Sequence, residues 1–197
     1  MRKKYVAQGL IQKLSETAIR RLDMKKTLVL GVVLKGLPVA YSLARMNSMI
    51  ENFVPIVAHR PLYMQHHVES YFPSLEWTAY FRDRLNHCES LLIVDDVVNT
   101  GFTKQKLESI VYSLTKETET HRQFAALILN RKNLANQSFI GSNDVFALRV
   151  DAVDVECDWG LITVPLWDLP VKEALLRCEE YFQRFWLSEK RFINIAY

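Results

Sequence analysis

The stretch of sequence that decides the fold runs from residue 91 to residue 103 and reads Leu91-Leu92-Ile93-Val94-Asp95-Asp96-Val97-Val98-Asn99-Thr100-Gly101-Phe102-Thr103. Its first four residues form an unbroken apolar run, which is typical of a strand buried on both faces of a parallel sheet. Two adjacent carboxylates follow, and a short turn with hydroxyl groups and a glycine then leads toward a helix. Ligands of open α/β sheets bind at this kind of edge. The stretch therefore predicts a strand, a turn and a helix that together form a binding site.

The two halves of this stretch suit two different parts of one ligand. Backbone N–H groups and the positive end of a helix dipole stabilise a phosphate, and the hydroxyls of Thr100 and Thr103 can donate to it as well. The carboxylates of Asp95 and Asp96 suit sugar hydroxyls or a hydrated Mg²⁺ ion. A ligand with both a ribose and a phosphate would satisfy both halves. The alternative is an ordinary strand-to-helix turn with solvated acids.

The rest of the sequence alternates further predicted strands and helices. Apolar runs predict strands over Leu28–Leu34, Phe53–Ala58, Leu91–Val94, Phe124–Leu129, Asp144–Val150 and Val153–Cys157. Apolar residues at helical spacing predict helices over Val6–Leu22 and Val171–Trp186. A third helix is predicted to begin at Pro38, and its apolar face is formed by Val39, Leu43, Met46 and Ile50. A fourth is predicted to begin at Thr103, a candidate N-cap, and its apolar face is formed by Leu107, Ile110, Val111 and Leu114. The segment between Arg60 and Ser90 is a candidate lid with a short helix at Ser74–Leu85.

This alternation predicts an α/β fold with a doubly wound, mainly parallel sheet. We expect a single domain over residues 1–197, with a core at about 23–135, a small C-terminal hood at about 140–170 and a C-terminal helix at 171–187.

Composition limits the class of protein. The chain has 197 residues, of which 49% are hydrophobic and 24% charged, and it contains only 6 glycines and 6 prolines. This excludes disordered, collagen-like and coiled-coil proteins. The net charge of +3 is too small to indicate a nucleic-acid-binding surface, and no segment approaches the ~20 apolar residues of a membrane span. Three scattered cysteines indicate a reducing compartment. We therefore expect a cytoplasmic protein without nucleic-acid or membrane partners.

At residues 91–103 the sequence resembles the type I phosphoribosyltransferases. Their motif for phosphoribosyl pyrophosphate (PRPP) is an apolar strand, two acids, two apolar residues and a T-G-x-T-like loop. The resemblance implies that Asp95 and Asp96 hold the ribose hydroxyls, with Mg²⁺ bound mostly through the substrate. It also implies that the 5-phosphate is bound by the loop formed by Val98, Asn99, Thr100, Gly101, Phe102 and Thr103. Phe102 departs from the small or polar residue usual in that loop, although its backbone N–H can still bind phosphate.

A second segment, Val33-Leu34-Lys35-Gly36, resembles the pyrophosphate loop of the hypoxanthine-guanine branch of this family. The resemblance implies that Leu34, Lys35 and Gly36 bind PRPP, although a Lys-Gly pair after a strand is also a common turn. Arg60 follows the second strand where similar enzymes place a basic residue, but it is equally well explained as a surface charge. Ser70 and Tyr71 resemble the Ser-Tyr pair of the family's flexible loop, or belong to a subunit contact. The neighbouring histidines, His66 and His67, suit solvent better than a metal.

The base side of the resemblance is less regular. The region from Trp159 to Asp168 is similar in character to the hood of purine and xanthine phosphoribosyltransferases, which implies base contacts from Trp159 and Ile162; both residues also suit a core. Asn99 stands where 6-oxopurine enzymes carry an aspartate near the base. Asn130 stands where they carry a lysine that donates to the 6-oxo group, and as an amide it can still donate a hydrogen bond.

The resemblance implies a phosphoribosyltransferase of purine salvage and nucleotide metabolism. Such an enzyme moves the 5-phosphoribosyl group of PRPP to a nitrogenous base, uses Mg²⁺, releases pyrophosphate and forms a homodimer or homotetramer. Lys35 and Asn99 are the expected catalytic residues. The alternative is a PRPP- or nucleotide-sensing regulatory protein on the same fold. A phosphoryl-transfer or receiver-like protein is disfavoured because the sequence lacks a G-x-x-x-x-G-K-[ST] motif.

Overall fold

Strands and helices alternate along most of the chain in a computed structural model, which describes residues 2–33, 35–47, 49–59, 69–115, 120–158 and 169–193. The strands are β1 (Arg2–Val6), β2 (Thr27–Val33), β3 (Phe53–His59), β4 (Glu69–Tyr71), β5 (Ser90–Val98), β6 (His121–Asn130), β7 (Val145–Val150) and β8 (Asp154–Asp158). The helices are α1 (Ala7–Ile19), α2 (Gly36–Met46), α3 (Leu75–Leu85), α4 (Phe102–Thr115) and α5 (Val171–Ile193).

Among the described residues, the main sheet has six strands in the order β4-β3-β2-β5-β6-β7. Strands β3, β2, β5, β6 and β7 are parallel to their neighbours, and β4 is antiparallel to β3 at one edge. The chain moves outward from β2 to β3, returns to β5 on the other side of β2, and then continues through β6 to β7. This confirms the doubly wound, mainly parallel sheet and places its topological switch point between β2 and β5.

The central strands are buried as their apolar runs predict. Leu28, Val29 and Leu30 of β2 are fully buried, as are Leu91 and Leu92 of β5 and Phe124 to Ile128 of β6. Helices cover such a sheet, so its strands lack the alternation of apolar and polar residues that a half-exposed strand shows. The core therefore lies along β2, β5 and β6, and these strands end at the switch point or beside it.

The region after β6 is divided between two sheets. Strand β7 pairs with β6 in the main sheet, whereas β8 pairs with β1 in a separate two-stranded parallel sheet. The predicted hood at residues 140–170 thus includes a strand of the main sheet. Strand β1 has no counterpart in the sequence prediction, because Arg2, Lys3 and Lys4 give it no apolar pattern.

Several predicted elements differ in detail. Strand β5 does not stop at the acids but continues to Val98, and Thr103 lies in the first turn of α4 and is not its N-cap. The residues Met46 and Leu114, which the helical spacing assigns to buried faces, are 42% and 41% exposed. In α4 the polar Thr115 is buried in place of Leu114. Its hydroxyl is satisfied by donating to the Val111 carbonyl at 2.8 Å and accepting from Arg122 Nε at 2.7 Å.

Helix α5 is fixed to two other helices. Glu76 of α3 accepts a hydrogen bond from the Val171 N–H at 2.9 Å, which caps the first turn of α5. About two turns further on, Glu179 accepts from the Tyr41 hydroxyl at 2.7 Å and from Arg45 Nε at 2.9 Å, and both donors lie on α2. Helix α2 begins at Gly36, so α5 helps to fix the helix that starts at the candidate site.

Within the described residues, no helix combines the length and the apolar character that crossing a membrane requires.

Candidate functional site

Strands β2 and β5 separate at the switch point, and the first residue of β5 beyond the separation is Asp95. Their last paired residues are Gly31 and Val94, whereas β5 stays paired with β6 as far as Val98 and Leu129. A parallel sheet that splits in this way leaves a crevice at the carboxyl ends of its strands, where ligands of α/β proteins bind. Both candidate motifs, Lys35-Gly36 and Asp95-Asp96, border this crevice.

Gly36 is packed directly against the acid pair. A Cβ atom at Gly36 would lie 2.6 Å from the Val94 carbonyl oxygen, 2.7 Å from the Asp95 Cα and 3.1 Å from Asp95 Oδ1. These atoms belong mostly to a buried strand and cannot move aside, so only glycine fits at this position. Lys35 precedes it at the start of α2 and is exposed. Two segments that lie far apart in sequence thus form one site.

The two carboxylates are held in different environments. Asp96 is 7% exposed, whereas Asp95 is half-buried. The backbone N–H of Asp96 donates to Asp95 Oδ1 at 2.8 Å, which fixes the Asp95 side chain beside Gly36. Oxygen atoms in this arrangement can accept from sugar hydroxyls or from the water shell of a cation.

The loop after β5 turns at a glycine whose backbone is left-handed. Gly101 has a φ of +86°, in the left-handed region that favours glycine, and its carbonyl accepts from the Gln105 N–H at 3.0 Å to begin α4. A Cβ atom at Gly101 would lie 2.9 Å from Phe139 Cδ2. The Ala135 N–H donates to the Thr100 carbonyl at 3.1 Å. The loop is therefore fixed on one side by α4 and on the other by residues 135–139.

Phe102, the unusual residue of the loop, has a structural partner. Its ring centroid lies 5.8 Å from that of Phe139, with an angle of 59° between the planes. The side chain therefore packs against the segment that covers Gly101, while the backbone of Phe102 belongs to the first turn of α4, whose N–H groups favour anions.

A buried ion cluster that the sequence analysis missed attaches α4 to the sheet. The Lys104 side chain is only 2% exposed, and its Nζ lies 2.6 Å from Glu108 Oε1 and 3.1 Å from Asp144 Oδ2. The same Nζ lies 5.3 Å from the centre of the Phe124 ring. Burial raises the pKa of Glu108, and the hydrogen bond and charge of Lys104 only partly oppose that rise. No signal in the sequence distinguishes Lys104 from Lys106, the exposed lysine of the same helix.

Asn99 and Asn130, the two departures on the base side, are hydrogen-bonded to each other. Asn130 Nδ2 donates to Asn99 Oδ1 at 3.1 Å and to the Ala152 carbonyl at 3.0 Å, and its Oδ1 accepts from the Ala152 N–H at 3.2 Å. Asn130 is fully buried. Both N–H groups of its amide are already used in hydrogen bonds inside the protein. The base contact of Asn130 stays a prediction, and it would require one of these bonds to break. Asn99 is half-buried at the end of β5.

The remaining predicted residues fall into two groups. Ser70 and Tyr71 lie on β4. In the pairing of β4 with β3, Ser70 is opposite Ala58 and Tyr71 is opposite Val57. Strand β4 also contacts α4, and Tyr71 is 53% exposed. The segment is thus an edge strand next to α4. Outside the described residues lie Leu34, Arg60, Trp159 and Ile162, together with His66 and His67. Their assignments remain predictions.

Within the described residues there is no group of three or more histidine, cysteine or carboxylate side chains that could hold a metal ion. Among the described residues, the pair Asp95 and Asp96 is therefore the candidate for holding a cation. Two adjacent carboxylates beside a phosphate loop fit Mg²⁺, which usually keeps several waters and binds through one or two carboxylates together with substrate phosphates.

Comparison with known proteins identifies the fold. No family model matches the sequence, and no curated protein matches it either. The structure is similar to that of a purine phosphoribosyltransferase from Pyrococcus horikoshii Ot3, with a TM-score of 0.54 and 16% identity over 83% of this chain and 96% of that one. It is also similar to the xanthine-guanine-hypoxanthine phosphoribosyltransferase of Helicobacter pylori, with a TM-score of 0.57 and 15% identity over 90% of this chain and 99% of that one. Together with the sheet order and the crevice at its switch point, these similarities show that the chain has the phosphoribosyltransferase fold.

Proposed function

We propose that this protein is a Mg²⁺-using phosphoribosyltransferase that moves the 5-phosphoribosyl group of PRPP to a purine-like nitrogenous base and releases pyrophosphate. The observation that carries the proposal is the contact of Gly36 with Val94 and Asp95. It joins the segment suited to pyrophosphate and the acid pair suited to ribose in one crevice, next to a glycine-containing loop at a helix N-terminus. A ligand with ribose, phosphate and pyrophosphate groups has a suitable partner at each of these places.

In the proposed reaction the bond between C1 of the ribose and the pyrophosphate oxygen breaks, and the electron pair leaves with pyrophosphate. A ring nitrogen of the base forms the new bond to C1, and the base loses its proton to solvent. Positive charge develops at C1 while negative charge grows on the leaving group. The exposed ammonium group of Lys35 and backbone N–H groups at the start of α2 would stabilise that negative charge.

Asp95 and Asp96 would hold the ribose hydroxyls, and the loop from Asn99 to Thr103 would hold the 5-phosphate. Fixing both ends of the sugar orients C1 toward the base and lowers the entropic cost of the reaction. Mg²⁺, when bound to the pyrophosphate and to one of the carboxylates, would supply further positive charge for the leaving group.

A second candidate function is PRPP sensing without catalysis. The two asparagines favour it. The amide of Asn99 cannot accept a proton as a carboxylate can. Asn130 is buried, and its N–H groups already donate to Asn99 and to the Ala152 carbonyl. A sensor would keep the PRPP contacts and would have no need of base contacts. Base-dependent turnover distinguishes the two functions, because only the enzyme shows it.

The variant Asp96→Asn tests the site common to both functions. It keeps the shape of the side chain but removes the charge, so we expect PRPP to bind at least about tenfold more weakly in the presence of Mg²⁺, since hydrogen bonds to a charged group are strong. Titration calorimetry measures the dissociation constant. The matched control is Asp83→Asn, an exposed aspartate on α3. Equal PRPP affinity in wild type, Asp96→Asn and Asp83→Asn would contradict the assignment.

A further inference from the structure

We infer that Asn130 is a positioning residue that turns the amide of Asn99 so that the base side of the site presents an N–H donor rather than an acceptor. The inference rests on the proposed function, since it assigns the chemistry of the base. The preferred base would then offer a hydrogen-bond acceptor, an unprotonated ring nitrogen or a carbonyl oxygen, to Asn99 Nδ2.

The orientation of Asn130 is set by the backbone. The peptide group of Ala152 offers one donor and one acceptor, and these cannot exchange roles. Because the Ala152 N–H donates at 3.2 Å, the atom of Asn130 facing it is the oxygen. Because the Ala152 carbonyl accepts at 3.0 Å, the atom facing it is the nitrogen. The oxygen and the nitrogen of a side-chain amide are often hard to tell apart. Here two hydrogen bonds to one residue determine which atom is which.

The orientation of Asn99 then follows from that of Asn130. The second N–H bond of Asn130 needs an acceptor, because Asn130 is fully buried and an unsatisfied buried donor is costly. Asn99 Oδ1 accepts it at 3.1 Å. The Nδ2 group of Asn99 is the other arm of the same planar amide, so it is not the atom that faces Asn130. A flip of Asn99 would place two N–H groups against each other.

The network lies where it can act on the base. Val98 of β5 and Leu129 of β6 are paired, so Asn99 and Asn130 are the next residues of two adjacent strands at the carboxyl edge of the sheet. Asn99 also precedes Thr100, the start of the loop fixed by α4. Ala152 lies between β7 and β8, and β8 contacts β5. The Asn99–Asn130–Ala152 network therefore connects the phosphate loop to the start of the β1–β8 sheet.

An amide at this position has a chemical consequence. It neither accepts nor releases a proton between pH 5 and 9, so Asn99 itself adds no pH dependence to base binding in that range. The position would select the base by its pattern of donors and acceptors, because a base that presents an N–H group to Asn99 Nδ2 leaves two donors facing each other.

The test compares Asn130→Ala with Asn133→Ala. Asn133 is a half-buried matched control: its Nδ2 donates to the Val153 carbonyl at 2.9 Å and so holds the same turn. For each protein we would measure KM for the base, kcat and the dissociation constant of PRPP. We expect Asn130→Ala to raise KM for the base about tenfold, the effect of one misdirected hydrogen bond, with PRPP affinity within about twofold of wild type. Asn133→Ala should change neither quantity. Equal effects of the two variants, or an equal loss of PRPP and base affinity in Asn130→Ala, would overturn the inference.

A second measurement needs no variant and no turnover. In ¹⁵N-labelled wild-type protein, the side-chain amide protons of Asn130 should exchange with solvent far more slowly than those of Asn133. Addition of PRPP and a base should shift the side-chain amide signal of Asn99 and leave the Asn130 exchange slow. Fast exchange at Asn130 would overturn the inference even if the enzyme is active. Slow exchange at Asn130 in a protein that binds PRPP but shows no base-dependent turnover would support the network and contradict the proposed function.

Discussion

At the scale of single residues, the site depends on a glycine, Gly36, whose missing side chain makes room for backbone. The space that a Cβ atom would fill is occupied by the backbone of β5. The functional reason for such a glycine is close approach between two chain segments that bind the same ligand. The structural reason and the functional reason coincide here, so one substitution should affect both stability and binding.

Gly36→Ala should therefore destabilise the protein and weaken PRPP binding together. The new methyl group would lie 2.6 Å from the Val94 carbonyl oxygen, and overpacking of this kind costs about 1–3 kcal/mol. Urea unfolding and PRPP titration measure the two effects. Gly9→Ala is the control: nothing lies within 4 Å of its Cβ position, and Gly9 lies in α1, so the free energy of unfolding should be unchanged or higher by about 0.5–1 kcal/mol. A stable Gly36→Ala protein with normal PRPP affinity would show that the close contact is absent.

At the scale of elements, the helices of the site are held in place by buried or half-buried ion pairs. Helix α4 is attached to the sheet by Lys104, and helix α2 is attached to α5 by the contacts of Tyr41 and Arg45 with Glu179. Each helix begins at a segment proposed to bind PRPP. The positions of these helix N-termini therefore depend on charged groups that lie outside the proposed PRPP contacts.

Lys104→Met should lower the stability of the protein by about 3–5 kcal/mol, because it leaves the carboxylate of Asp144 buried without its cation. Chemical denaturation measures the free energy of unfolding. Lys106→Met, an exposed position two residues further along α4, is the control and should change stability by no more than about 0.5 kcal/mol. A comparable loss of stability in both variants would mean that Lys104 is not specially paired.

The contact between α2 and α5 should make stability depend on pH in a defined direction. Burial opposes ionisation of Glu179, but hydrogen bonds from Tyr41, Arg45 and Gln183 outweigh it and lower the pKa of this carboxyl. A lowered pKa in the folded state stabilises the fold above the ordinary pKa of glutamate, about 4.3, and this stability is lost as the pH falls through the lowered value.

Glu179→Gln should thus cost about 0.5–1 kcal/mol at pH 7, and the difference from wild type should disappear at acidic pH. Thermal unfolding between pH 3 and pH 8 measures it. The control Glu173→Gln lies on the same helix, is half exposed and is 4.0 Å from Arg177, so it should show little change at any pH. A constant difference between Glu179→Gln and wild type across this range would contradict the ionic role of Glu179.

At the scale of the whole molecule, the sequence predicts the sheet and the helices well because their patterns are local. Apolar runs identify β2, β5 and β6, and the acids with the following loop identify the crevice edge. Strand β1 is not predictable in this way, because its three basic residues have no strand pattern and its partner, β8, is distant in sequence. The same holds for Lys104 and Asn130, whose burial depends on Asp144 and Ala152 in segments that the chain reaches much later.

The central claim is that the crevice between β2 and β5 catalyses transfer to a base. The most direct test is pyrophosphate release from PRPP with Mg²⁺, measured separately with hypoxanthine, guanine, xanthine, adenine, uracil and orotate and without a base. We predict that one of the purines stimulates release well above the rate without base, and that Asp96→Asn abolishes this stimulation. A rate that no base changes, in a protein that binds PRPP, would contradict the claim.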